Sequence, residues 1–98
     1  MWMDEEVISG WAYEKCLKDD RKKFWSLITE SEYAYWYCLV VNDRPEVRKN
    51  ITDSVWSYMY CKDIANRTEI RKNITESEWS FKYCRDVGDR PEVRKYLK

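Results

Sequence analysis

Asp43-Arg44-Pro45-Glu46-Val47-Arg48-Lys49-Asn50-Ile51-Thr52 is the stretch on which the reading of this chain turns, because near copies of it return at Asn66 to Thr75 and at Asp89 to Lys98. A motif recurring at a nearly fixed spacing marks a structural unit that stacks on copies of itself. Alignment on cysteine extends the pattern to four units, since Cys16, Cys38, Cys61 and Cys84 are separated by 22, 23 and 23 residues. Five residues before each cysteine stands an aromatic: Trp11, Tyr33, Trp56 and Trp79. The units cover approximately residues 7–28, 29–51, 52–74 and 75–98, a single repeat domain over the 98-residue chain.

Each unit reads as two short helices. The longer first helix is expected to open on a capping box, with Thr29 and Glu32, or Thr75 and Glu78, exchanging hydrogen bonds with each other's free amides. Val55 breaks the box after Thr52, and the first unit, lacking a hydroxyl at Val7, is expected to start its helix at Ser9. The helical period then puts Tyr33, Ala34, Tyr37, Cys38 and Val41 on one buried stripe, matched by Trp56, Ser57, Tyr60, Cys61 and Ile64 and by Trp79, Ser80, Tyr83, Cys84 and Val87. The small residue beside each large ring lets neighbouring helices approach closely. A second aromatic series, Tyr13, Tyr35, Tyr58 and Phe81, lies off that stripe, and is read as packing on an adjacent unit or lining a partly exposed surface.

The opening stretch begins the second helix. Asp43 or Asp89 serves as its cap, Pro45 or Pro91 takes the first turn, where a missing N–H costs nothing, and Glu46, Glu69 or Glu92 completes a second capping box. Val47 with Ile51, Ile70 with Ile74, and Val93 with Leu97 form its apolar i, i+4 pairs. At about two turns this helix cannot stand alone in water and must exist by packing. The expected fold is all-α, a short α-solenoid of four two-helix repeats of about 23 residues each.

Composition narrows the function. Aromatics at 16% beside two Gly and two Pro argue for packed helices over disorder. Eighteen basic and eighteen acidic residues cancel, which favours neither a nonspecific nucleic-acid binder nor an acidic nucleic-acid mimic. No apolar run is long enough to span a membrane, and Met1-Trp2-Met3-Asp4-Glu5-Glu6 lacks the pattern of a signal peptide, so the expected location is cytoplasmic. Three Asn-x-Thr sequons, at Asn50, Asn66 and Asn73, follow from the repeat itself.

With Trp56-Ser-Tyr-Met-Tyr-Cys-Lys-Asp-Ile64 followed by Asn66-Arg67 and a charged helix, the unit resembles the short Trp/Ala-Tyr-rich tandem helical repeats of uncharacterised proteins from bacteriophages and other large DNA viruses. It departs from them in carrying Cys where Ala is common and Arg-Pro-Glu where Arg-Trp-Pro-Glu is common. The resemblance implies a viral or mobile-element origin, and hence a partner that is a protein of the host, met in the host cytoplasm.

Candidate sites follow from positions the repeat does not need for folding. The cysteines have neither the close pairing nor the histidine partners of a metal site, and packed helices hold neighbours farther apart than a disulfide allows, so each reads as a small buried hydrophobe. With no His and no Gly-rich phosphate loop, no catalytic residue, cofactor or metal ligand is assigned and the chain is read as a non-enzyme. Arg44, Arg67 and Arg90 recur at the start of the second helix and Arg48, Arg71 and Arg94 one turn on. Stacked, they would form two rows for a nucleotide, a nucleic acid or an acidic partner, or else pair with repeated acids; Arg44 and Arg48 are the members of the opening stretch with no evident structural role. The leading reading is a protein-binding module centred on Trp36, whose equivalents Glu14, Met59 and Lys82 show that the fold does not require an aromatic there, with Tyr35, Met59 and Tyr58 around it. Uncapped repeat ends would also expose apolar surface that a second copy could cover, giving a homo-oligomer.

Overall fold

A serine hydroxyl joins successive repeats. In a computed structural model that describes residues 4–98, the chain forms α-helices that alternate in length: α1 (Glu5–Lys18), α2 (Lys22–Trp25), α3 (Ser31–Val40), α4 (Pro45–Arg48), α5 (Ser54–Asp63), α6 (Thr68–Arg71), α7 (Ser77–Asp86) and α8 (Pro91–Arg94). The fold is all-helical among the described residues, and the start of the stretch scanned for signal features, Met1 to Met3, lies outside them. The chain divides into two compact units, Met1–Ile51 and Thr52–Lys98, at a boundary of the sequence repeat.

In the first unit α1 packs on α2 and α3, and α3 on α4. Helix α1 starts at Glu5, four residues before the expected Ser9, because Asp4 caps it by accepting from the Val7 amide at 2.9 Å. Ser9 is consequently inside the helix and fully buried, and its Oγ accepts from the amides of Thr29 (3.0 Å) and Glu30 (3.1 Å) while lying 3.3 Å from the Leu27 carbonyl. The expected Thr29–Glu32 box therefore does not form. Helix α3 begins at Ser31 with Glu30 as its N-cap and no side-chain cap bond, since the preceding repeat already supplies the acceptor. Ser31 in turn donates to the Asn50 carbonyl, and Asn50 Nδ2 reaches back to the Ile28 carbonyl at 2.8 Å. Such a bond gives the sequon asparagine a structural use.

The second unit repeats the scheme, with α5 packed on α6 and α7 and α7 on α8. Ser54 Oγ accepts from the Thr75 and Glu76 amides at 3.1 and 3.3 Å and lies 3.2 Å from the Asn73 carbonyl, so the Thr75–Glu78 box is likewise replaced. Helix α5 starts at Ser54 with Asp53 as N-cap, one residue beyond Thr52.

The short helices have four residues each, about half the expected length, and α4 is prolonged by tighter i→i+3 bonds from Asn50 to Val47 and from Ile51 to Arg48. Pro45 and Pro91 take the first turn as expected, but Arg44, Arg67 and Arg90 stand at the N-cap without a side-chain cap bond, so neither Asp43, Asp89 nor the second box has the capping role expected of it. Val47, Ile51, Ile70, Ile74 and Val93 are buried as the i, i+4 pattern requires, whereas Leu97, the expected partner of Val93, is 38% exposed.

The small positions of the long helices, Ala12, Ala34, Ser57 and Ser80, are all fully buried, which is how the stripes approach each other. Among them Ser57 Oγ is buried with no hydrogen-bond partner. Removing an orphan hydroxyl relieves its desolvation cost, so Ser57→Ala is expected to stabilise the protein by about 1 kcal/mol, whereas Ser54→Ala, which strands two amides and a carbonyl, should destabilise it by about 1–3 kcal/mol. Urea unfolding midpoints of the two variants check the opposite signs.

Candidate functional site

The outward face of α3 is apolar where the other long helices are largely polar. Trp36, Leu39 and Val40, at i, i+3 and i+4, lie side by side and are 37%, 42% and 54% exposed. Their equivalents are Glu14, Leu17 and Lys18 in α1, Met59, Lys62 and Asp63 in α5, and Lys82, Arg85 and Asp86 in α7. Trp36 is held edge-on against Tyr35, with ring centroids 5.2 Å apart. The expectation around Trp36 needs correcting for its neighbours: Tyr35 is 2% and Tyr58 4% exposed, and Met59 is half-buried. Tyr58 is held in place by a tilted ring contact with Trp79 at 5.6 Å and a 2.5 Å hydrogen bond from its hydroxyl to Asp86. Leu39 and Val40 are the site residues that sequence reasoning missed. The comparison of equivalent positions that singled out Trp36 would have found them, had it been carried one turn further.

The arginines belong to the joints. Asp20, in the turn after α1, accepts from Trp25 Nε1 (2.8 Å), Tyr37 Oη (2.7 Å) and Arg44 Nη2 (3.1 Å), while Arg44 Nε donates to Tyr37 Oη at 2.8 Å and its guanidinium lies 4.1 Å over the Trp25 ring. The spacings recur in the second unit, where Tyr83 donates to Asn66 Oδ1 at 2.7 Å and Arg67 to Tyr60 at 2.8 Å. A second constant links the residue before each N-cap arginine to the arginine five positions on. Arg48 Nη1 donates to the carbonyl and carboxylate of Asp43, Arg71 to the carbonyl and side chain of Asn66, and Arg94 to Asp89. Trp25 fills the equivalent place beside Asp20 in the first unit. Arg71 also donates from Nε to Glu92 at 2.7 Å and from Nη2 to Thr68, and is buried.

Arg44 and Arg48 thus have the structural roles that the sequence hid, and five of the six row arginines already donate to protein acceptors. Arg90 is exposed, with no ion pair among the described residues.

Cys16, Cys38 and Cys61 are buried free thiols, and burial foremost raises them to about 11, about 12 and about 11, respectively, which keeps them protonated and unreactive at neutral pH. Cys84 is half-buried. Among the described residues no group of three His, Cys, Asp or Glu could hold a metal ion, and no helix is long and apolar enough to cross a membrane. Two surface depressions, one lined by Glu5, Ile8, Ser26, Leu27 and Thr29 and one by Lys22, Trp25, Ser26, Glu46 and Lys49, each hold about 190 Å³. Pockets for drug-sized ligands run to roughly 300–1,000 Å³. Compared with protein-family models, curated proteins and solved structures, the chain matches none of them.

The Asp20 joint has a pH signature. Burial pushes the Asp20 carboxyl up, but hydrogen bonds from Trp25, Tyr37 and Arg44 outweigh it and hold the group below its ordinary value of 3.8. A carboxyl depressed in the folded state contributes stability above its unfolded value, and that stability is lost as pH falls through the folded one. Unfolding free energy is therefore expected to drop as pH falls below 3.8, and Asp20→Asn should be less stable at neutral pH and show a shallower acid slope in urea titrations at successive pH values.

Proposed function

We propose that the protein is a non-enzymatic binding module, a short α-solenoid of four two-helix repeats that recognises or occludes a host protein in the host cytoplasm through the outward face of α3. The observation that carries this reading is the apolar triplet Trp36, Leu39 and Val40, exposed together on one helix at positions where α5 and α7 present mostly charged side chains. Folding of the repeat does not require them, as α5 and α7 carry Met59, Lys62 and Asp63, and Lys82, Arg85 and Asp86, in their places. Tryptophan flanked by aliphatic side chains on a rigid helix is the composition of an interface anchor, able to bury a large area at small entropic cost. The fitting partner presents an apolar groove or helix that accepts the indole.

Repeat proteins bind along surfaces that their joints hold rigid, and the Asp20–Tyr37–Arg44 joint, which fixes α3 against α1, supports that role here. The viral resemblance of the repeat motivates the choice of a host protein.

Cross-linking in host-cell lysate, with the same captured protein then titrated in purified form, tests the reading. Trp36→Ala is expected to cost about 2 kcal/mol of binding or more, roughly 30-fold in Kd, with the fold intact by circular dichroism. Arg90→Glu and a rise in salt should leave affinity nearly unchanged, because an apolar anchor is little screened. Binding that survives Trp36→Ala and Leu39→Ala but collapses with salt would refute the α3 face as the site.

A further inference from the structure

The α7–α8 end presents, uncovered, the groups that α1–α2 and α5–α6 use to seat the next long helix. Phe81 is 55% exposed, whereas its equivalent Tyr58 in α5 is 4% exposed and Tyr13 in α1 is half-buried. Leu97 is 38% exposed where Ile28 and Ile74 are fully buried. The Arg94 side chain is 53% exposed against 11% for Arg71. The α7–α8 face thus carries the side-chain types of a joint.

The complementary half-joint stands on α1. In the first unit Tyr33 lies on Tyr13 with ring centroids 6.1 Å apart and planes inclined by 38°, and in the second Trp79 lies on Tyr58 at 5.6 Å with the same inclination. Trp11 is the residue equivalent to Tyr33 and Trp79, it is 45% exposed, and Phe81 is equivalent to Tyr13 and Tyr58. Trp11 and Phe81 are thus the two halves of one more such pair. Charge agrees. Where Tyr37 and Arg44 of α3 and its short helix meet Asp20, α1 and its short helix offer Lys15 and Arg21, the latter paired with Asp19, and the acid equivalent to Asp20 at the α7–α8 end is the exposed Asp89, which holds Arg94. Only Lys23, at the place of Glu46 and Glu92, would face Arg94 with like charge, which weakens the fit.

We infer that the α7–α8 face of one copy docks head-to-tail on the α1–α2 face of a second copy, Phe81 against Trp11 and Asp89 against Lys15 and Arg21. Such a heterologous contact leaves one free face at each end, so association continues beyond a dimer or closes into a ring. It is independent of the α3 face.

Sedimentation equilibrium of the 98-residue chain over about 10 µM to 1 mM, the range of weak association, reads this directly. The weight-average mass should rise with concentration past that of a dimer, and raised salt should weaken the association. Trp11→Ala and Phe81→Ala, both at exposed positions, should each raise the apparent Kd at least about tenfold with helix content unchanged. Their equimolar mixture keeps one intact face on each partner and should form heterodimers and nothing larger. Trp36→Ala should associate as the parent does. A chain that remains monomeric throughout, an effect of Phe81→Ala without one of Trp11→Ala, or a mixture that stays monomeric would each overturn the inference.

Discussion

Every helix leaves its first amides without partners, and here that requirement is met across the repeat boundary. One buried hydroxyl, Ser9 in the first unit and Ser54 in the second, accepts the two amides at the entrance to the following long helix and sits beside the carbonyl that precedes it. A local threonine cap would stabilise each helix separately. Taking the acceptor from the neighbour makes the start of one helix depend on the presence of the one before, which is the coupling that short helices need, since four-residue helices such as α4 and α6 have no stability of their own. The serines are also small enough to sit at the bottom of the joint, beside Ala12 and Ser57, where the helices come closest.

Above this contact lies a polar layer that fixes the register of one repeat on the next. Asp20 gathers an indole N–H, a phenol and a guanidinium, and Asn66 takes the phenol of Tyr83 and the guanidinium of Arg71. Partly buried charges that are fully hydrogen-bonded add directional preference to an otherwise non-directional aromatic core. The same layer consumes the arginines. All but Arg90 of the guanidinium groups that looked available for phosphate donate to acceptors of the protein, and a ligand would have to displace those bonds to use them.

What remains for recognition is what the joints leave over. On α3 that is a triplet of apolar side chains with no counterpart in the two following long helices, and at α1 and α7 it is a pair of aromatic residues that resemble an interrupted joint. Both are surfaces whose composition the fold does not demand. The two differ in kind, since the first departs from the repeat and the second continues it.

By itself the sequence determined the helical class, the repeat length, the buried stripes of Ala34, Tyr37 and Cys38, of Ser57, Tyr60 and Cys61, and of Ser80 and Tyr83, the prolines at the start of α4 and α8, and Trp36 as an outlier. These are properties of periodicity and of residue chemistry within one unit, so they survive without coordinates. Tertiary structure alone decided which hydroxyl caps which helix, that Arg44 holds a joint and Arg48 holds Asp43, that Tyr35 and Tyr58 are buried, and that Leu39 and Val40 extend the surface of Trp36. Most of those depend on groups 17 to 28 residues apart or on solvent access, as with Ser9 and Glu30 or Tyr58 and Asp86, and a local pattern carries no record of a partner supplied by the neighbouring repeat.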